Sequence, residues 1–212
     1  MRRFLLLAHR VPVSGAFTLN DLAGGAGRMD EIARAVSTAF TLSNDLRRDT
    51  EVTILFSAEA PPRARRIDLV GGRLRYLNPD ERSTAALLKN ALVRSSSLET
   101  GLDASPGLRV GPADPPALLA EFVRAPDAFW LTEKGGPLRD WRPGSTSFSA
   151  VVSDPLDPTW EEVHLLEAAG VPRVSLGPRS MRTSQCVDVL HYEFDRREGA
   201  RPAAPGAESE PS

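Results

Sequence analysis

From Asp114 onward the chain alternates short apolar runs with segments of helical periodicity, and this alternation constrains the fold more than any other feature. Asp114-Pro115 caps a helix bearing Leu118, Leu119, Phe122 and Val123, and Ala128–Leu131 (AFWL) and Ser149–Ser153 (SAVVS) read as buried strands. Pro158–Ala169 reads as a helix closed by Gly170, Arg173–Leu176 (RVSL) as a strand and Thr183–Phe194 as a helix. Strands separated by helices pair in parallel, so the pattern predicts an α/β sheet. Open sheets of this kind bind ligands beyond the carboxyl ends of their strands. The predicted strands end at Leu131-Thr132, Ser153-Asp154 and Leu176-Gly177-Pro178, and their loops form the predicted cofactor pocket.

The first half reads less regularly. Phe4–Ala8 is a buried-strand run, residues 28 to 43 carry Met29, Ile32, Ala33, Val36, Ala39 and Phe40 at helical spacing, and Glu51–Ser57 is a strand. Arg66–Leu77 holds two strand-like runs around Gly71-Gly72, a hairpin signal. Asn78-Pro79-Asp80-Glu81 sets an Asn cap and a first-position proline for a helix ending near Arg94. Ser95–Gly107 is rich in Ser, Gly and Pro and reads as a long loop or an internal division, and Arg196–Ser212 reads as a disordered tail. The expected organisation is one α/β domain over residues 1–195 followed by that tail.

Several function classes drop out on composition. The 212 residues are 41% hydrophobic, enough for a core without metal or disulfide staples. A single cysteine, Cys186, excludes an internal disulfide and a multi-cysteine zinc site, and suits a reducing cytoplasm. No apolar run approaches the roughly 20 residues that span a bilayer, and Phe4–Ala8 is too short for a signal segment, so a soluble, unexported chain is expected. The net charge is −2, divided as +3 over residues 1–82 and −5 over the rest, which is no basic nucleic-acid arm. Twenty-four of the 26 basic residues are arginine, the better shape for phosphate and base edges, although codon preference explains that bias as well.

Candidate chemistry is sparse. Gly24-Gly25-Ala26-Gly27 lacks the dinucleotide spacing and follows no strand; a phosphate contact through its amides and a plain loop both remain open. Cys186 has no well-placed histidine to activate it and shares a helical stripe with Leu190 and Phe194, so it reads as a small buried hydrophobe that can line a pocket. No His, Asp and Glu cluster has metal spacing, so no metal is expected. Arg28, Arg47, Arg48 and Arg82 lie near element ends, with Asp30, Asp49 and Asp80 beside them. A carboxylate beside arginines can take a proton from a weak N–H acid while a guanidinium holds the oxygen that gains charge.

Three ordered stretches carry a family resemblance: GRMDEIARAVSTAFTLSNDLRRD (27–49), NPDERSTAALLKNAL (78–92) and RVSLGPRSMRTSQCVDVLHYEFD (173–195). Together they resemble the signature stretches of the TrmY-type pseudouridine N1-methyltransferases of the SPOUT class, in order over nearly all of residues 1–195. The resemblance implies S-adenosylmethionine-dependent methyl transfer to N1 of a pseudouridine in RNA, most simply tRNA, with rRNA or another modified uridine as the alternative substrate. It also implies a mostly parallel sheet with a C-terminal trefoil knot, and a homodimer that shares active-site residues. Leu131, Leu176, Gly177 and Cys186 match the family's cofactor contacts. Ser153 stands where the family usually has glycine, which leaves a catalytically weak or inactive RNA-binding homologue as the second reading. By residue type, Asp30 or Asp49 is expected to accept the proton or orient the base, Arg28, Arg47 and Arg48 to grip the uracil oxygens or phosphates, and Arg82 to join Arg47 and Arg48 in binding RNA.

Overall fold

A computed structural model describes residues 1–58, 63–141 and 146–199. It contains one eight-stranded sheet: β1 (Arg2–Ala8), β2 (Thr50–Phe56), β3 (Arg65–Val70), β4 (Leu102–Ser105), β5 (Leu108–Pro112), β6 (Ala128–Pro137), β7 (Phe148–Ser153) and β8 (Arg173–Ser175). Five helices flank it: α1 (Met29–Phe40), α2 (Glu81–Ser95), α3 (Pro115–Val123), α4 (Trp160–Ala168) and α5 (Thr183–Gly199). Strand order is β4-β5-β3-β2-β1-β7-β6-β8. The stretch β2-β1-β7-β6-β8 is parallel, as the alternation predicts. β3, β5 and β4 are appended antiparallel.

β1 is central because it is apolar on both faces, the mark of a strand covered above and below. Phe4, Leu6 and Ala8 pack beneath α1, α2 and α5, while Leu5 and Leu7 meet Leu118 and Leu119 of α3 and Leu166 of α4. Burying side chains of this size stabilises by about 1.5–3 kcal/mol each. A charge substituted at Leu5 or Leu6 would therefore break the sheet at its middle.

Four expectations are corrected. Gly71-Gly72 closes no hairpin: β3 pairs with β2 and β5, and the chain instead turns so that the Arg73 and Leu74 amides donate to the Val70 carbonyl. A Cβ at Gly71 would lie 2.2 Å from the Arg47 carbonyl oxygen, so this glycine serves close backbone passage. The cap of α2 is Asp80, whose carboxylate accepts from the Ser83 amide, two residues beyond Asn78. Residues 95–107 contain β4, and their glycine signal is a hairpin turn at Gly107 (φ +78°) that joins β4 to β5. The sheet thus continues across this segment. Finally, α5 runs on to Gly199, through the first residues of the expected tail: Glu193 holds Arg196 and Arg197, and Arg197 donates to the Leu138 carbonyl at 2.8 Å. The rest of that tail, residues 200–212, lies outside the described residues. No helix among the described residues is long and apolar enough to cross a membrane.

Candidate cofactor and substrate pocket

A cavity of about 730 Å³ opens at the carboxyl ends of β6, β7 and β8. This lies within the roughly 300–1,000 Å³ typical of ligand sites. β6 makes its outer wall by an irregularity: Leu131 and Gly136 both register against Val174 of β8, so residues 132–135 bulge out between two paired segments. Gly135 permits this, since a Cβ there would come within 2.5 Å of the Val174 backbone. The other walls are the loop after β7, the loop after β8 and the first turns of α5 and α1. Two hydroxyls tie them together, Ser180 donating to Glu133 at 2.6 Å and Thr183 to the Ser153 carbonyl at 2.6 Å.

All five expected cofactor residues line this cavity: Leu131, Ser153, Leu176, Gly177 and Cys186. The Ser153 hydroxyl is turned into its own loop, where it donates to the Leu156 carbonyl. Cys186 is packed against the core, and burial, with the Glu133 charge second, pushes its thiol up to about 11. It is therefore a protonated wall residue at neutral pH. Apolar walls at Leu131, Val152 and Leu176 suit an adenine ring, while the acidic Glu133 and Asp157 and the basic Lys134 and Arg179 offer partners for the cationic and anionic groups of S-adenosylmethionine. The donor set fits that cofactor.

Arg28 also lines the cavity, held in an unusual conformation. It is the cap residue of α1 with φ 69° and ψ 32°, left-handed for a side chain that is not glycine, and it follows Gly27 at φ +63°. Such a conformation costs of order 1–3 kcal/mol and clusters at functional sites. A Cβ at Gly27 would lie 2.1 Å from the Arg10 carbonyl oxygen, so the turn has little freedom. The guanidinium is fixed by Asp30, with Nε and Nη2 donating to the two carboxylate oxygens at 2.9 and 3.0 Å. Burial alone would raise the Asp30 carboxyl, but the Arg28 hydrogen bonds and charge hold it below the usual carboxylate range. With both oxygens engaged, Asp30 orients Arg28 instead of facing the cavity.

Other expected site residues lie elsewhere. Asp49 precedes β2 at the opposite end of the parallel strands from the cavity, 3.5 Å from the buried Arg2. At about 3.3 Å per residue, the length of β2 puts it roughly 20 Å from the pocket edge. Arg47 is engaged there by Asp195 at 2.7 Å, and Arg48 donates to the carbonyls of Gly71 and Leu74. Arg82 donates to the Leu19 carbonyl and Asn20, outside the cavity. Spacing in sequence placed these groups near element ends but not at which end of the sheet. The glycine loop offers no anion site either, because the Gly24 and Gly25 amides donate to the Asp21 carboxylate at 2.8 and 2.7 Å.

The sequence reading missed two groups. Glu31, 1% exposed, lines the cavity beside Arg28 and accepts from Arg34 at 2.7 Å. A glutamate in the first turn of an amphipathic helix reads as an ordinary favourable charge. The second is a buried clamp: His9, just after β1, bonds Asp154 through Nδ1 at 3.1 Å and Glu162 through Nε2 at 2.9 Å. Burial pulls the imidazole pKa down, but the two carboxylates outweigh it and raise it to about 9. His9 is thus an imidazolium joining the ends of β1 and β7 to the first turn of α4, where Thr159 and Glu162 form a capping box. Its partners lie 145 and 153 residues away, beyond any local pattern.

Comparison with known proteins places this arrangement. Residues 1–199 match the sequence-family model described as "Putative SAM-dependent RNA methyltransferase". A tRNA (pseudouridine(54)-N(1))-methyltransferase of Methanocella arvoryzae is 41% identical over 200 residues, covering 93% of this chain and all of the relative. The enzyme of the same name from Methanosarcina acetivorans is 38% identical, covering 98% of this chain and 97% of the relative. Among solved structures, Archaeoglobus fulgidus Nep1 bound to S-adenosylhomocysteine is similar in fold, with a TM-score of 0.60 at 16% identity over 93% of this chain and 98% of that one. With a match along nearly its whole described length, this chain belongs to the TrmY family of S-adenosylmethionine-dependent RNA methyltransferases.

Proposed function

We propose that this protein transfers a methyl group from S-adenosylmethionine to N1 of a pseudouridine in tRNA, at position 54 as in the names of its relatives. The observation that carries the reading is the cavity at the ends of β6, β7 and β8, where the apolar patch of Leu131, Val152 and Leu176 meets the constrained Arg28. When bound, the cofactor supplies an electrophilic methyl group on a sulfonium. The chain has to align the ring nitrogen with it, hold the uracil oxygens and help the N1 proton leave. Arg28 is suited to the oxygens, because Asp30 fixes its fork and the left-handed turn aims it. Leu131, Ser153, Leu176, Gly177 and Cys186 enclose the cofactor and exclude water. The Ser153 hydroxyl, being bonded within its own loop, is compatible with an active enzyme.

The RNA backbone is best met by cations at the mouth of the same cavity. Among the described residues Lys134 and Arg179 are exposed there without a side-chain hydrogen bond or ion pair, whereas Arg47 and Arg48 are engaged at the far end of the strands. We place the C-terminal knot and the homodimer in the same reading. In support of the knot, α5 follows the edge strand β8 yet returns over β7 to α1, with Arg197 tucked against the Leu138 and Trp141 carbonyls. In support of a dimer, Leu42, just past the end of α1, and Tyr192, midway along α5, are exposed large apolar side chains on either side of the point where His191 bonds the Ala39 carbonyl. The deciding experiment is nucleoside mass spectrometry of tRNA incubated with the protein and S-adenosylmethionine. Pseudouridine-containing tRNA should yield 1-methylpseudouridine and a matched uridine-containing tRNA no new methylated nucleoside; binding without turnover would favour the RNA-binding homologue.

A further inference from the structure

Methylation at N1 requires the N1 proton to leave, and the carboxylates lining the cavity differ sharply in their freedom to take it. Asp154 accepts the His9 backbone amide, the His9 ring and the Leu156 amide. Glu133 accepts from Ser180, and Asp157 is open to water. Asp30, behind the lining, has both oxygens on Arg28. Glu31 is different. Its Oε1 accepts from Arg34 at 2.7 Å and Arg28 at 3.2 Å, with Arg182 3.7 Å away, while Oε2 is buried and bonded to nothing among the described residues. A buried acceptor left unpaired is costly unless a ligand completes it. Two guanidiniums, Arg34 and Arg28, fix one oxygen of this carboxylate, a third stands 3.7 Å from it, and the other oxygen is left unpaired among the described residues, beside the residue best placed to hold uracil.

We propose that Glu31 is the proton acceptor of the reaction, receiving the N1 proton of the target base on Oε2. This inference rests on the methyl-transfer reading above. As the N1–C bond forms, the S–C bond of the sulfonium breaks with its electron pair remaining on sulfur. The N1–H proton passes to Oε2, leaving a methylated base, a neutral thioether and a protonated Glu31 that discharges to water as product departs. Arg28 and Arg34 are positioning residues for this step, because they orient the carboxylate through Oε1.

The test is single-turnover methylation of pseudouridine-containing tRNA at saturating S-adenosylmethionine by wild type, Glu31→Gln and Glu31→Asp. Cofactor affinity is measured by calorimetry, tRNA affinity by filter binding and folding by thermal melting. Glu31→Gln should lose about 10²–10³-fold in rate with both affinities nearly unchanged, the scale of a lost general base. Its deficit should shrink about tenfold per pH unit through the alkaline range, as the imide ionises without help. Glu31→Asp keeps the charge but withdraws the oxygen by one methylene, so it should fold, lose rate and narrow its deficit in the same way; it carries the test if the glutamine variant does not fold. An unchanged rate in a folded variant, or a pH-independent deficit, overturns the proposal. So does a loss confined to cofactor affinity, which would assign Oε2 to the cofactor ammonium. A wild type that binds both ligands but never methylates would instead refute the functional reading on which the proposal stands.

Discussion

Replacing His9 removes the one cation between two buried carboxylates, and the consequence is calculable. Its pKa of about 9 in the fold, against 6.5 when unfolded, corresponds to about 3 kcal/mol of stability. Because the folded pKa is the higher, this contribution is complete below pH 6.5, declines as pH rises from 6.5 to 9 and is absent above. For a chain of this size, that is a melting-temperature difference of about 6–12 °C between the ends of the window. Other groups titrate over the same range, so the informative quantity is the difference between wild type and His9→Gln. Guanidinium unfolding of both proteins at half-unit steps from pH 6 to pH 10 should show the wild-type advantage falling by about 3 kcal/mol. Parallel curves across the window would mean that His9 is not charged in the fold, and the argument for the clamp would fail. The clamp also holds one wall of the cavity, since Asp154 organises the turn at Leu156. Cofactor affinity should therefore weaken in the glutamine variant at pH 7, where the wild-type clamp is intact.

Cys186→Ser should retain most of the turnover number, because a thiol at about 11 is not a nucleophile at neutral pH, whereas Cys186→Leu overfills the wall at a typical cost of 1–3 kcal/mol in packing; single-turnover rates at saturating cofactor separate the two. Arg28→Gly should be more stable than Arg28→Ala by about 1 kcal/mol, since glycine alone relieves the left-handed strain, with both inactive; thermal unfolding measures the gap. Replacing Lys134 and Arg179 together by alanine should reduce the salt-dependence slope of tRNA binding by about 2, while Arg47→Ala with Arg48→Ala should leave it unchanged.

What the sequence disclosed follows from range. The parallel core was legible because Phe4–Ala8, Ser149–Ser153 and Arg173–Leu176 are apolar runs whose meaning is local, and the pocket followed from where such strands end. Asp114 and Thr159 cap their helices through bonds to residues three positions on, and both helices were read close to their true start. The antiparallel extension was not legible. Gly71 looked like a hairpin residue because what it avoids, the Arg47 carbonyl, is displaced from it in sequence. The same limit separated Arg28 from Asp49: both are charged groups at element ends, and only the assembled sheet, with β1 in parallel register against β2 and β7, tells which end of the strands each occupies. Glu31 escaped notice because its neighbours Arg34 and Arg28 make it resemble a surface ion pair, and its burial depends on α5 packing over α1.

The central position of β1 carries a cost in time. It leaves the ribosome before the other described strands, and it pairs with β2 by Phe56, yet its other edge waits for β7, which begins at Phe148. At about 5–20 residues per second, translation of that interval lasts roughly 5–18 s, during which an unpaired apolar edge is available to any other nascent chain. Arg2 waits longer still, since its partners Asp195 and Glu198 are near the end of α5. A sheet whose centre is assembled from both ends of the chain has high contact order and folds slowly. The hazard for this protein is thus concentrated in its synthesis, and slower translation through residues 57–147 should lower its soluble yield without altering the stability of the molecules that finish.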